Sequence, residues 1–64
     1  SGHLIYPATI KDITADGRLL LEYVDSAGHV FGRPGLESPE WVTARLQMPW
    51  HPSHLKDVLV IMLR

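Results

Sequence analysis

Besides its aromatic rings, this sequence has three groups of side chains that could do chemistry. His51, His54 and Asp57 stand at i, i+3 and i+6, a spacing that can in principle gather metal-binding atoms. Pro52 separates the two histidines, and no further strong ligand is fixed nearby, so a pair of surface histidines beside a turn is the simpler reading and no metal is expected. Ser53 next to His54 pairs a hydroxyl with a base, but sequence neighbours seldom reach nucleophile–base geometry and no oxyanion-hole signature accompanies them. Glu22, Asp25, Glu37 and Glu40 are carboxylates scattered through turns, which reads as a solvated rim rather than an acid–base pair. No glycine-rich phosphate loop opens a helix. The expectation is a non-enzymatic chain without a cofactor.

The remaining chemical resource is aromatic: Tyr6, Tyr23, Phe31, Trp41 and Trp50. Ring faces around a small pocket attract cations, and a methylated ammonium is a favoured guest because it is large and weakly hydrated. In so small a domain several of these rings must be core, and Tyr6 or Tyr23 together with one tryptophan are assigned to packing. Trp41 is set apart because, in a strand, its parity opposes that of Val42, Ala44 and Leu46. It would then face outward beside Glu40. The ligand contacts expected from this pattern are Tyr23, Asp25, Phe31, Trp41 and Trp50.

These residues have a thin frame to stand on. The 64 residues make one domain over 4–64, with Ser1-Gly2-His3 reading as an expression scar. A chain below about 70 residues usually needs a staple, and this one has no cysteine for a disulfide or thiolate zinc site. Oligomerisation is the supplement left. Six basic against seven acidic residues, a formal charge of −1, make a nucleic-acid partner an unlikely expectation. The longest apolar run, residues 58–63, is far short of a membrane span. A soluble intracellular domain, cytoplasmic or nuclear, is expected, with a peptide or protein as its partner.

The elements follow from hydrophobic periodicity. "LIYPATIKDI" alternates as a half-buried strand, with Pro7 marking it as an edge or bulged strand. Asp16-Gly17 suits a tight turn and "LLLEYV" returns, giving a hairpin from about residue 4 to 24. "DSAGHVFGRPG" is a brief third strand or a long loop, with Arg33-Pro34-Gly35 as a turn. In "SPEWVTARLQMPWHP", Ser38, Pro39 and Glu40 resemble a helix start. From Val42 to Trp50, however, apolar residues occupy every second position. A helix begun at Trp41 or at Val42 meets Arg45 or Pro49 in its apolar stripe, so a strand over 42–50 is favoured. "SHLKDVLVIMLR" fits either a strand or a short helix. As a terminal strand it would need cover, most simply from a second copy of the chain, through Val58, Val60 and Met62 or the opposite-parity Leu59, Ile61 and Leu63. The fold expected is mainly β, a small and strongly curved antiparallel sheet, with a dimer as the assembly.

"YPATIKDITADGRLLLEY" followed by "EWVTARLQMP" resembles the Tudor-like royal superfamily, most closely its agenet modules. That resemblance implies a five-stranded SH3-like barrel that reads methylated lysine or arginine through an aromatic cage with an acidic rim. "YPATI", "EYVDSAGHV" and "LESPEW" are also similar to the N-terminal part of HicB-type antitoxins. The second resemblance implies a strand-strand-strand-helix-strand unit that binds and blocks a small ribonuclease toxin, with residues 39 to 48 helical. A small oligomeric β-protein outside both families is the third possibility.

Overall fold

The turn at Asp16-Gly17 sets the register of everything upstream. Gly17 takes a φ of 85°, a left-handed conformation that costs glycine little. The Thr14 N–H donates to the Arg18 carbonyl at 2.8 Å and the Gly17 N–H to the Thr14 carbonyl at 2.9 Å. The computed structural model, which describes residues 4–46 and 48–63, accordingly forms the expected hairpin from β1 (Leu4–Ile13) and β2 (Leu19–Tyr23). Ile10 faces Leu21 but Asp12 faces Leu20, so Lys11 is an extra residue in β1, a bulge.

A short β3 (Gly35–Glu37) pairs with β2, and β4 (Val58–Leu63) pairs antiparallel with β1 over Leu4–Thr9. The sheet order is β3-β2-β1-β4. The third segment is a loop through residues 25–34, with Val30 contributing only an isolated bridge to Val24; the three-residue strand lies after the apolar pair expected to form it and begins at Gly35, the last residue of the expected turn. The C-terminal run is a strand.

Pro7 does not lie on an edge, because β1 has β4 on one side and β2 on the other. It is tolerated because the β1–β2 ladder runs only from Ala8 to Ile13. The Pro7 carbonyl accepts the Val24 N–H at 3.0 Å, just past the end of β2. The N–H and C=O of a strand residue point the same way. The donor that proline lacks is thus directed at the place where strand pairing has already stopped.

The expected strand over 42–50 is corrected: Pro39–Leu46 is an α-helix, α1. Its start is the one the first three residues suggested. Ser38 Oγ accepts the Trp41 N–H at 3.0 Å and the Ser38 carbonyl accepts the Val42 N–H at 3.1 Å. Pro39 occupies the first turn, where its missing donor is not needed. The apolar stripe is Trp41, Val42, Arg45 and Leu46, and Arg45 belongs to it because its guanidinium lies over the Trp41 ring, 4.0 Å from the centroid. An arginine scored as polar broke the helical pattern, yet its stem and flat head cover an aromatic ring as an apolar residue would.

Helix α1 and the segment after it cover one face of the sheet. Ala8, Ile10, Leu19, Leu21, Val42 and Ile61 are fully buried there, with Tyr23, Trp41, Leu46, Trp50, Leu55 and Leu59 packed around them. The opposite face is bare. Alternation along β4 places Leu59 and Ile61 in the core and leaves Val58 and Val60 exposed. No helix among the described residues is long and apolar enough to cross a membrane.

Candidate functional site

The register brings three aromatic rings to one corner of the helix-covered face. Ala8 pairs with Tyr23, so Tyr6 stands diagonally across from Tyr23 on the same side of the pleat. Their rings meet edge to face with centroids 6.1 Å apart. Phe31 completes the group, 5.9 Å from Tyr6 and 6.2 Å from Tyr23. It is tied there by its own N–H, which donates to the Tyr23 carbonyl at 3.1 Å. Tyr6 and Tyr23 are half-buried and Phe31 is 41% exposed, so the corner opens to solvent.

One acid and one base lean on this corner. Glu37 pairs with Leu19, but its carboxylate folds back along the strand, so that a Cβ added at Gly35 would lie 3.7 Å from Oε2. That direction leads from the Leu19 pair past the Leu21 pair toward Tyr23. Burial pushes the Tyr23 phenol up from its ordinary value, the Glu37 charge pushes it further, and Arg45 opposes both. Arg45 thus serves Trp41 and also reaches the corner electrostatically.

The sign of the Tyr23 shift gives a pH prediction. A phenol held neutral by the fold contributes stability that is complete below its unfolded value near ~10 and is lost as pH rises through the higher folded value. Ultraviolet titration should show a phenol ionising above the ordinary range, and Tyr23→Phe should remove that late component. Loss of an ordinary component instead would contradict the assignment.

Of the five ligand contacts expected from the sequence, two come together in this corner, Tyr23 and Phe31. Asp25 is occupied locally, its Oδ1 accepting the Ala27 N–H at 2.9 Å and the His29 N–H at 2.8 Å to fold the turn that delivers Phe31. Trp41 carries Arg45 on its ring and packs against the core. The Trp50 ring also packs against the core, and its backbone N–H donates to Thr43 Oγ1 at 3.0 Å, which pins the chain leaving α1. Among the described residues no aromatic pair joins a tryptophan to the corner. Tyr6, which the sequence assigned to packing, is the ring that was missed. Counting back from the Asp16-Gly17 turn brings it near Tyr23, but the bulge at Lys11 shifts that count by one.

The histidine segment is structural. His51 Nδ1 accepts the Ser53 N–H at 3.0 Å and lies 2.9 Å from Ser53 Oγ, which caps the single 3-10 turn Pro52–His54. Among the described residues no three histidine or acidic side chains are placed to share a metal ion. The Nδ1 of His54 and the Nε1 of Trp50 are buried without a hydrogen-bond partner among the described residues.

The expected interface residues separate by parity. Val58 and Val60 are 65% and 53% exposed, Met62 is half-buried, Leu59 is half-buried against the core and Ile61 is fully buried. The side chain of Leu63 lies outside the described part of the structure.

Fold and site together define a small antiparallel sheet covered on one face by a short helix, with an open aromatic corner at one end. Comparison with known proteins gave no matching family model, no matching curated protein and no matching solved structure.

Proposed function

We propose that this chain is a non-enzymatic binding module whose aromatic corner, Tyr6, Tyr23 and Phe31, takes a cationic side chain of a peptide or protein partner, a methylated lysine or arginine being the best-matched guest. The observation that carries this reading is three partly open rings within 6.2 Å of one another, with the Glu37 carboxylate directed toward them. Aromatic faces attract a cation and a nearby carboxylate adds to that attraction. Methylation removes hydration without removing charge, which favours a partly apolar corner over water.

Titration of the isotope-labelled chain with matched peptides tests the proposal. The expected result is chemical-shift change confined to Tyr6, Tyr23, Phe31 and their neighbours, larger for trimethyl-lysine than for an uncharged isostere of the same shape. Phe31→Ala, at an exposed position, should weaken binding by about 0.5–2 kcal/mol. No response at millimolar peptide, or equal response to the uncharged isostere, would remove the cation reading.

A second reading rests on one specific observation. The order β1-β2-β3-α1-β4, with the helix beginning at Pro39, is the arrangement that the antitoxin-like resemblance requires. Under that reading the partner is a small ribonuclease, and a tight complex with such an enzyme, together with silence toward methylated peptides, would favour it.

A further inference from the structure

Strand β4 is the last in the order β3-β2-β1-β4, so the main-chain groups along its outer edge have no strand partner. The bare face of the sheet is not uniform beside it. Its middle is polar, with Thr9, Asp12 and a Lys11–Glu22 ion pair at 3.5 Å. Apolar groups flank this middle on both sides: Leu20 and the 43% exposed Leu36 toward β3, and toward β4 Val58 at 65%, Val60 at 53% and Ile5 at 60% exposure, with Pro7 and Met62 half-buried among them. The β4-side strip and the open edge are continuous. A partner laid flat over the whole face would bury the ion pair, whereas a strand added at the edge would extend the β4-side strip alone.

We propose that the occupant is a second copy of this chain, joined by antiparallel pairing of β4 with itself about a two-fold axis. This inference is independent of the aromatic corner, which lies on the other face. Three properties of β4 make it its own complement. A strand paired antiparallel with its copy is isologous by construction, so the assembly closes at two. Residues 58–63, "VLVIML", carry no charge, so no like charges are brought opposite each other. Parity then restricts the register. In one continuous sheet, residues directly opposite share a face, so Val58, Val60 and Met62 must meet one another, and Leu59 and Ile61 must meet each other or their own copies. A register with Val60 opposite the partner's Val60 satisfies every pair from 58 to 62. A shift of one residue would set exposed side chains against buried ones all along the seam.

Pairing in the plane of the sheet satisfies the open main-chain groups along both β4 edges and sets the two apolar strips side by side on one face. The two apolar strips become one eight-stranded sheet's central band.

Because the chain has no cysteine of its own, single substitutions read the register directly. The unmodified chain should sediment at twice 7.2 kDa at micromolar concentration. Val60→Cys should form a covalent dimer on mild oxidation, since directly opposed Cα atoms lie ~4.5–5.5 Å apart, within disulfide reach. Val58→Cys, opposite Met62 and about 13 Å from its own copy, should not. A folded monomer of 7.2 kDa throughout the concentration range would overturn the proposal. So would cross-linking of Val58→Cys that equals or exceeds that of Val60→Cys, which would mean another register or another face.

Discussion

Ile61→Glu should abolish the folded state, whereas Val60→Glu, one residue away, should leave it intact and prevent the proposed association. Ile61 is fully buried opposite Tyr6, on the face covered by α1. A carboxylate there meets Ala8, Ile10 and Leu21 rather than water, and burial of an unpaired charge costs several kcal/mol even after the group gives up its ionisation. A 64-residue domain has about 3–10 kcal/mol of stability to lose. Val60 points the other way and is half in water already, so its glutamate costs the monomer little. In the proposed dimer, however, the two glutamates would face each other across the axis. Circular dichroism and sedimentation on the two variants check the pair of outcomes. Equal unfolding of both would mean that β4 buries both faces within its own chain, and equal folding of both would mean that it is not a core strand.

Val42→Asp should detach the helix, and Ala44→Asp should not. Val42 is the single fully buried residue of α1, and Ala44 is exposed. Two turns of helix are too short to persist in water without tertiary packing. Removing the one deep contact therefore removes the helical dichroism of residues 39–46 and uncovers the core of the sheet, a loss of several kcal/mol. At Ala44 the aspartate is solvated and the expected change is within about 0.5 kcal/mol. The contrast is sharp because a strand over the same residues would make the two positions equivalent, both on the inner face. Far-ultraviolet dichroism and a urea melt distinguish the outcomes, and equal damage from both substitutions would restore the strand.

The parts of the fold legible in the sequence are those in which alternation and turn chemistry agree. The β1–β2 hairpin is readable because Asp16-Gly17 demands a turn between two alternating segments, whereas β4 was legible only as a strand or a short helix, since an apolar run of six fits both. Residues 42–50 misled because the alternating and helical templates share Val42 and Leu46, and the apolar Ala44, Met48 and Trp50 happen to complete the alternation. The deciding information lay in Arg45, whose side chain behaves as apolar surface only because Trp41 is beneath it. The candidate site was half legible. Tyr23 and Phe31 were identifiable as aromatic, but Trp41 and Trp50 are spent on covering the sheet, and Asp25 on bending the loop. Glu37 was legible only as one of several rim carboxylates, because its lean toward the corner depends on the β2–β3 pairing that places it.

The central strand β1 takes one neighbour from the very next element, β2, and the other, β4, from the far end of the described residues. Its bonds to β2 close a turn of a few residues and form on the microsecond scale of an isolated hairpin. Its bonds to β4 join Leu4 to Leu63 and enclose nearly the whole chain, so their entropy cost must be met before they stabilise anything. Acquisition of the native state is thereby divided in time, with a fast local nucleus that stays incomplete until β4 arrives. During that interval the side of β1 that β4 will occupy is unpaired over Leu4–Thr9. The chain is then most exposed to mispairing with its neighbours, and the strand that ends this vulnerable period is the one that carries the second open edge.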